Sequence, residues 1–531
     1  MTGVFFLLVR PACHPCKQPY GRKQAPTAFA PMLRPCLFGF LLTLPLGARE
    51  VLVHDVAELR AAAAAASPGD SIKLAKGRYA DVNLRLTRGG TESRPVTLSA
   101  AEPGEVVFTG ASEIELAAPY LTLEGLYFLG GSLSGEKPDG AVLSFRSHHG
   151  IIRQTAVVDY NPAAFKTGYY WVFFAGDHNL LDRCYFKGKN HLDPLVGNAL
   201  ENSRHNTVQG CAFVNIPYDE GNGREIIRVW GSGKFDEKSR DGAFFTIQGN
   251  LFEHADGEGT ETISLKSNFN LVAGNTVRAT RGGINIRRGA NNTVKGNIVL
   301  GEDTPGAHGL RLSGANHVVQ GNLVDRCDYG IRVSTGEHVA SALTPAYVPK
   351  EKPNAESARN PAGIVSAYPP ARKVTVAGNV TIGCKGPDLE IGSDYKKHWP
   401  EEQMVLLPSD CEFTGNRFIR PDGGNSIEIA TPDPQLPSAF ARLVPHRYRG
   451  NLLLGGKPAP APADLGCKSL PLPTGWNETK EMADFRPLTR PEVGPAWVNA
   501  WRASGRFEIE NDLSCSRQPE GLGKKKKTKS K

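Results

Sequence analysis

A seven-residue phrase recurs through the middle of the chain, and this repeat restricts the possible folds more than any other feature. It occurs as TVQGCAF (207–213), TIQGNLF (246–252), LVAGNTV (271–277), TVKGNIV (293–299), VVQGNLV (318–324) and TVAGNVT (375–381). In the first five copies the fifth position holds Cys211, Asn250, Asn275, Asn297 and Asn322, and the last three steps are 25, 22 and 25 residues. Each unit joins a short β-rich run, a turn and a second β-rich run, which indicates a repeat architecture.

A unit of about two dozen residues is too short for two strands and a crossover helix, so the repeat predicts an all-β chain folded as a single right-handed parallel β-helix. Successive coils would pair about 4.8 Å apart, with Val, Ile and Leu inside and buried Asn amides stacked from coil to coil. A leucine-rich repeat would need an L-x-x-L-x-L spacing, which is absent from the repeat units. VAELRAAAAAASPGD (56–70) predicts a helix that caps the N-terminal end and prevents edge-to-edge association.

The ends of the chain differ from the repeat. Residues 1–48 predict an N-terminal extension with a signal peptide, in which Met32 is the true start, Leu37–Leu46 is the apolar stretch and Gly47-Ala48 is the cleavage site. We therefore expect a secreted or periplasmic bacterial protein without membrane insertion, because the apolar stretch is too short to span a bilayer. The other predicted regions are the β-helix domain (49–455), an irregular segment packed along it (456–515) and a disordered lysine-rich tail (516–531).

The formal net charge of +8 is not evidence for nucleic-acid binding. Eleven of the 62 Lys and Arg residues lie in the first 48 and the last eight residues, so the part between them is slightly acidic. Composition therefore gives no argument for a nucleic-acid-binding fold, and we expect no nucleic-acid partner. We also expect a monomer.

Aligning the second β-rich runs predicts which side chains point outward, because strand residues alternate. The inward positions are Ile227/Val229, Ile263/Leu265, Ile284/Ile286, Leu310/Leu312 and Ile331/Val333. One outward column holds Arg228, Ser264, Asn285, Arg311 and Arg332, and the other holds Trp230, Lys266, Arg287, Ser313 and Ser334. Glu225, Glu261 and His308 stack near the start of the same strands.

One face of the predicted coil thus carries five basic side chains over roughly 20 Å, without compensating acids in the same columns. Cations at regular steps along an open groove suit a linear polyanion. Only one aromatic side chain, Trp230, is interleaved for base stacking, so an acidic polysaccharide fits better than a nucleic acid.

The stretch 222–297, which includes NGREIIRVW and GTETISLKS, resembles polysaccharide lyase family six, to which chondroitinase B and many alginate lyases belong. The most specific element is Glu-x4-Lys-Ser, followed by Arg-x-Gly 21 residues beyond the Lys. In this chain it consists of Glu261, Lys266-Ser267 and Arg287-Arg288-Gly289. The similarity extends to the opening segment 51–79 and to HNLLDRCYFKGKN (178–190), and covers roughly residues 50–455.

The resemblance implies a lyase that breaks uronate-containing chains by β-elimination, with Lys266 removing the C5 proton and Arg287 assisting the leaving O4. A proton next to a carboxylate is a very weak acid, so the carboxylate charge must be neutralised as the enolate forms. A lysine base must be neutral, and Arg287 and Arg288 beside it would lower its pKa by like-charge repulsion. The expected substrate-binding residues are Arg228, Trp230, Arg288, His308, Arg311 and Arg332.

In the family, Ca²⁺ held by a Glu-x-Glu pair and by an Asn one coil earlier typically neutralises that carboxylate. This sequence departs from the pattern, because Gly259 stands two residues before Glu261 and Glu258 stands three residues before it. A one-residue bulge would return Glu258 to the site, and the expected oxygen ligands of Ca²⁺ are then Asn222, Glu258 and Glu261. The alternative is a metal-free site in which Arg228 or Arg311 neutralises the carboxylate.

Alginate is the expected substrate and dermatan sulfate the second candidate. Three other functions stay open: a β-helix glycoside hydrolase, a C5-epimerase and a non-catalytic protein that binds acidic glycans. A hydrolase would need clustered catalytic Asp residues on adjacent coils, whereas the outward columns offer bases. An epimerase starts with the same proton abstraction but needs a second acid opposite Lys266.

Cys184 and Cys211 both align with the Asn position of the phrase and are 27 residues apart, which places them on neighbouring coils. Parallel stacked side chains strain the dihedral angle that a disulfide prefers. Since buried Cys also behaves as a small hydrophobe, we expect two free, stacked thiols that continue the Asn ladder.

Overall fold

The computed structural model describes residues 47–219, 222–231, 239–339, 368–395, 398–399, 402–432, 444–458 and 466–506. The predicted start at Met32, the apolar stretch to Leu46 and the lysine-rich tail lie outside the described residues.

Short strands stack into three long parallel sheets that share one interior. Sheet 1 contains β1 (Glu50–Val53), β2 (Ser71–Leu74), β5 (Val96–Ala100), β8 (Leu121–Glu124), β11 (Ile151–Arg153), β14 (Leu180–Asp182), β17 (Thr207–Gln209), β20 (Thr246–Gln248), β23 (Leu271–Ala273), β26 (Thr293–Lys295), β29 (Val318–Gln320), β33 (Thr375–Ala377), β38 (Glu412–Thr414) and β41 (Arg447–Arg449). Sheet 2 contains β4 (Asn83–Leu86), β7 (Glu113–Leu116), β10 (Ala141–Phe145), β13 (Tyr170–Phe174), β16 (Val196–Asn198), β19 (Ile227–Trp230), β22 (Glu261–Lys266), β25 (Gly282–Arg288), β28 (Ala307–Leu312), β31 (Ile331–Ser334), β35 (Leu389–Ser393), β40 (Asn425–Ile429) and β43 (Lys457–Pro458). Sheet 3 contains β3 (Gly77–Ala80), β6 (Val106–Thr109), β9 (Tyr127–Leu129), β12 (Ala156–Val158), β15 (Tyr185–Lys187), β18 (Ala212–Ile216), β21 (Leu251–Ala255), β24 (Thr276–Arg278), β27 (Ile298–Leu300), β30 (Leu323–Asp325), β34 (Val380–Ile382), β39 (Arg417–Ile419), β42 (Asn451–Leu454) and β44 (Cys467–Leu470).

This architecture confirms the predicted right-handed parallel β-helix. Strands that neighbour each other within a sheet come from successive coils, and all their pairings are parallel in the three long sheets. The predicted inward residues of sheet 2, such as Ile263, Leu265 and Ile286, are fully buried in one continuous apolar core.

Each repeat phrase spans two strands rather than one, so a coil has three strands where the sequence suggested two runs. In the second copy, β20 in sheet 1 ends at Gln248 and β21 in sheet 3 begins at Leu251. Gly249 between them has φ +62°, a left-handed conformation that glycine adopts at little cost. The corner was hidden because three-residue strands leave no polar loop between the two sheets.

The asparagines of the phrase form the predicted ladder along this corner. Asn250 Nδ2 donates to Asn275 Oδ1, and Asn275 Nδ2 donates to Asn297 Oδ1, each at 2.9 Å. The same oxygens also accept the backbone N–H of the preceding Asn. Because every amide is buried and paired, the ladder fixes the register of the coils at low cost in unsatisfied polar groups.

Cys184 and Cys211 continue this ladder toward the N-terminus as free, buried thiols, as predicted. The backbone N–H of Cys184 donates to Cys211 Sγ at 3.4 Å, and the N–H of Cys211 donates to Asn250 Oδ1 at 2.9 Å. A second ladder, which sequence reasoning missed, joins Asn270, Asn292 and His317 at the corner that leads from sheet 2 to sheet 1.

The predicted helical cap is α1 (Val56–Ala65), with Asp55 accepting the N–H of Glu58 at its N-terminus. Leu59, Ala62 and Ala63 are buried against the first coil. The remaining described elements are a small antiparallel sheet of β32 (Gly336–Val339), β36 (His398–Trp399) and β37 (Glu402–Leu406), and α2 (Glu478–Glu481), a 3₁₀ helix (Arg490–Glu492) and α3 (Ala496–Ala503).

Trp497 and Val498 of α3 pack on the outer face of sheet 3, beside Tyr127 and Tyr185. No helix among the described residues is long and apolar enough to span a bilayer.

Candidate active site

Lys266, the last residue of β22, is almost completely buried although it lies in an outward column. Its side chain is 3% exposed, and Nζ donates to Glu225 Oε1 at 2.7 Å. Burial lowers the pKa of Lys266, and Arg287 lowers it further, whereas Glu225 and Glu261 act in the opposite direction. The amine is therefore easier to deprotonate than an ordinary lysine, as a base requires.

Three carboxylates meet beside this amine: Glu225, Glu258 and Glu261, each with an oxygen within 4.8 Å of the others. Glu258 Oε2 accepts the backbone N–H groups of Gly223 at 2.7 Å and Arg224 at 3.2 Å. Burial and the two neighbouring carboxylates raise the pKa of Glu258 to about 7. For Glu225, burial is outweighed by Lys266 and Arg228, and the pKa is lowered.

The carboxylate cluster fits a bound cation. Three buried or partly buried carboxylates this close repel one another unless a proton or a cation lies between them. Glu225 Oε2 is buried and makes no hydrogen bond, and oxygen donors of this kind suit Ca²⁺.

The structure changes the predicted ligand set in one place. Glu258 does reach Glu261, as the proposed bulge requires, but the third carboxylate is Glu225, whereas Asn222 is exposed. Gly259 has φ +72°, and a Cβ there would lie 2.4 Å from the ring of Tyr218. This backbone therefore excludes a glutamate two residues before Glu261, and Glu258 supplies the carboxylate from the adjacent position.

The expected pairing of Lys266 with Arg287 in one column is wrong. A register shift between Leu265 and Lys266 places Arg288, not Arg287, opposite Lys266 on the next coil. Arg287 is displaced by one residue but stays close enough to lower the pKa of Lys266. A bulge of this kind is not visible in the spacing, because Arg287 follows Lys266 by 21 residues with or without it.

Trp230 lies opposite Lys266 on the preceding coil, as predicted. Its ring has Lys266 Nζ at 5.0 Å, Arg288 Cζ at 5.0 Å and Arg228 Cζ at 5.6 Å from the centroid. Three cations around one indole are held by the negative face of its π-system, which keeps them together despite their repulsion.

Tyr368 is a site residue that sequence reasoning missed. Its ring lies 4.8 Å from Arg287 Cζ and 4.6 Å from Arg311 Cζ. Its carbonyl accepts the N–H of Glu337 at 2.9 Å, which ties it to β32. No repeat or motif marks this position, because Tyr368 lies more than fifty residues beyond Arg311 along the chain.

The remaining predicted cations lie on the same face, but acids on the next coil or beside the column pair with them, so the expectation that their charge is uncompensated is wrong. Arg311 Nη2 lies 3.3 Å from Asp394, and Arg332 Nε lies 2.6 Å from Glu390. Arg228 Nη1 lies 3.6 Å from Glu225, and its Nη2 donates to the hydroxyl of Tyr170 at 3.0 Å.

His308 stacks on Tyr329, with ring centroids 4.6 Å apart. Burial and then Arg332 lower the pKa of His308 to about 4, so its imidazole is neutral at neutral pH. It therefore cannot supply a positive charge to an anionic substrate there.

Comparison with known proteins identifies the family. A family profile described as chondroitinase B matches residues 53–343. A solved polysaccharide lyase of family PL6 from Pseudopedobacter saltans is 37% identical, with a TM-score of 0.73, over 84% of this chain and 99% of that one.

Two other solved structures share the fold. The PL6 alginate lyase AlyGC is 22% identical with a TM-score of 0.68, over 84% of this chain and 58% of AlyGC. A mannuronic-acid-specific family 6 lyase from the human gut microbiota is 23% identical with a TM-score of 0.68, over 87% of this chain and 100% of that one. No curated protein matches the chain. On the profile match and the 37% identity, the chain belongs to polysaccharide lyase family 6 and is a polysaccharide lyase.

Proposed function

We propose that this lyase cleaves a uronate polymer by β-elimination, with Lys266 as the general base. The observation that carries the proposal is the buried Lys266 amine, with a lowered pKa, held 2.7 Å from Glu225 beside the three-carboxylate cluster. Surface lysines that only bind anions are not buried in this way, because burial costs the charged form its hydration.

In the proposed reaction, neutral Lys266 removes the C5 proton of a uronate. The C5–H electrons form the C4=C5 double bond as the C4–O4 bond breaks, and the proton remains on Nζ. Glu225 stabilises the ammonium that forms, because its carboxylate is already in hydrogen-bond contact with that nitrogen. Arg287 donates hydrogen bonds to the departing O4, which takes a proton from water to become the new hydroxyl group. The hydroxide that remains takes the proton from Nζ, which regenerates water and neutral Lys266.

The substrate carboxylate must lose its charge for the C5 proton to become acidic enough. Glu225, Glu258 and Glu261 would hold Ca²⁺, and the ion would supply that neutralisation when bound. Arg288 and Arg228, which surround Trp230, are the cations of this chain that support the same carboxylate.

Alginate is the first candidate substrate and dermatan sulfate the second. Both polymers carry a uronate carboxylate next to the C5 proton. The matching family profile is described as chondroitinase B, and one of the similar solved structures is an alginate lyase. A panel of polymannuronate, polyguluronate, alginate and dermatan sulfate tests the choice. Ultraviolet absorbance of the new C4=C5 double bond separates a lyase from a hydrolase, an epimerase and a glycan-binding protein, because only elimination forms that bond.

Glu261→Gln is the variant that tests the carboxylate cluster most directly. Glu261 is the first residue of β22 and accepts a hydrogen bond from Ser264, whereas Glu258 lies in the turn before that strand. We expect Glu261→Gln to lower turnover more than Glu258→Gln, and equal effects would contradict the different roles.

Export is part of the same proposal, since the substrate is an extracellular polymer. N-terminal sequencing of the mature protein tests it. A mature chain that begins after Ala48 supports export, and a retained Met1 or Met32 contradicts it.

A further inference from the structure

The outward column that begins with Arg228 changes sign abruptly along sheet 2. Strand register places Asn285, Arg311 and Arg332 in line on successive coils. The next two residues in line are Glu390 on β35 and Glu428 on β40. The column is thus basic or neutral up to Arg332 and acidic immediately beyond it.

Acids at the C-terminal end of this column also form ion pairs with its last two arginines. Glu390 pairs with Arg332, with Nε and Oε2 2.6 Å apart, and Asp394 pairs with Arg311 at 3.3 Å. Both arginines therefore already have a carboxylate partner, and both partners come from the β35 coil. A substrate carboxylate would have to compete with that partner or accept its repulsion.

The opposite direction has a different character. Beyond Arg228 the column continues through Gly197, Phe173 and Ser144, which are neutral. The next acid in the column is Glu115, four coils from Arg228. It is paired with Arg85 and Arg146. The two ends of the groove are therefore electrostatically unequal.

We propose that Glu390 and Asp394 form an acidic stop that ends the substrate groove, so that the bound polyanion extends from Lys266 toward the N-terminal coils. This rests on the proposed function for the identity of the polymer. From β22, which holds Lys266, to β35, which holds Glu390, there are four coil steps, about 19 Å, so only a short stretch of polymer fits between the base and the stop. The stop is a specificity device, because it limits how far an anionic chain runs past the base.

The test measures binding, so that it does not depend on turnover. In a Lys266→Ala background, the dissociation constants for polymannuronate and dermatan sulfate are measured by affinity electrophoresis at low and high salt. The variants are Glu390→Gln and Asp394→Asn, singly and together. Glu124→Gln is the matched control, because Glu124 is also an ion-paired acid, 2.8 Å from Arg153, but lies on sheet 1.

We expect each stop variant to bind the polymer about two- to five-fold more tightly at low salt, with a smaller gain at high salt. The Glu124→Gln control should bind as the parent does. Unchanged binding overturns the proposal, and weaker binding overturns it too, because the acids would then be holding the arginines in place for substrate.

The experiments distinguish a failure of the proposed reaction from a failure of the acidic stop. If the wild-type chain forms no double bond from any uronate polymer, but the stop variants still bind more tightly than the control, the proposed function is wrong and the acidic stop stands. If the parent binds neither polymer, the column is not a polyanion groove and the stop is refuted. Thermal melting of each variant confirms that it is folded.

Discussion

Replacing Lys266 with arginine separates its charge from its basicity. Arginine keeps a positive charge against Glu225, which lies 2.7 Å from the lysine amine. A guanidinium stays protonated at any usable pH and so cannot accept the C5 proton. We expect Lys266→Arg to fold normally and to lose turnover.

The magnitudes follow from the contacts of Lys266. Loss of a positioned general base costs about 10²- to 10⁴-fold in rate, or about 3–5 kcal/mol of barrier. Stability should change by about 1 kcal/mol at most in Lys266→Arg, because the buried ion pair is retained. In Lys266→Met, Glu225 loses its nearest partner and keeps Arg228, whose Nη1 is 3.6 Å from Oε2, so we expect a loss of about 3 kcal/mol of folding stability.

Lys187 provides the matched control. It is also a buried lysine, 2% exposed at the side chain, and pairs with Asp159 at 3.6 Å, but it belongs to sheet 3 rather than sheet 2. Lys187→Met should therefore lose stability and keep turnover, whereas Lys266→Arg should do the opposite.

The assay combines ultraviolet detection of the double bond with denaturant unfolding of all three variants. Turnover in Lys266→Arg within ten-fold of wild type, with the fold intact, refutes the general-base role. Equal loss of turnover in Lys187→Met would show instead that activity tracks stability and not the site.

Four further predictions concern other parts of the molecule. Chelation with EGTA should lower turnover and added Ca²⁺ should restore it, with Glu225→Gln abolishing the response; full activity after chelation would leave neutralisation to the arginines. The pKa of His317 is lowered by burial from 6.5 to about 4, so the folded state favours the neutral imidazole. This contributes up to about 3 kcal/mol to the free energy of unfolding above pH 6.5, and the contribution is lost as the pH falls from 6.5 to 4. His317→Asn, which restores the ladder residue, should remove that part of the acid sensitivity of the unfolding free energy, and an unchanged pH profile would contradict it. Tyr368→Phe should keep kcat and KM near wild type because the ring against the arginines is retained, whereas Tyr368→Leu should raise KM several-fold; a strong loss in the Phe variant would show that the hydroxyl takes part in the reaction. A thiol count on denatured, unreduced protein should find Cys184 and Cys211 free, and two missing thiols at these positions would indicate a disulfide.

Most of the fold could be predicted from the repeat, because the length of a coil and the inward apolar positions are local properties of a β-helix. Asn250 and Asn275 share a position in the phrase, and stacking them requires only that successive coils align. The same reasoning found Lys266 and Glu261, since strand alternation places outward residues in columns. It missed the third strand of each coil, because the corner at Gly249 has no loop to reveal it.

The sequence predicted the site residues only where the strands keep their regular alternation of inward and outward side chains. A bulge after Leu265 brings Arg288 opposite Lys266, and a bulge depends on how two neighbouring coils fit together rather than on either sequence. Tyr368 reaches Arg287 from a distant part of the chain, so no spacing connects them.

The sequence was sufficient to predict the coil, its Asn ladder, the outward position of Lys266 and the family, because each depends on residues that are close together or repeat at constant spacing. Only the tertiary structure decided the third carboxylate of the cluster and the acids that pair with Arg311 and Arg332. Glu225 meets Glu258 and Glu261, and Glu390 meets Arg332, across coils separated by loops of unequal length. The distance between such charges, and therefore their pKa values and their effect on a substrate, depends on how the coils stack in space.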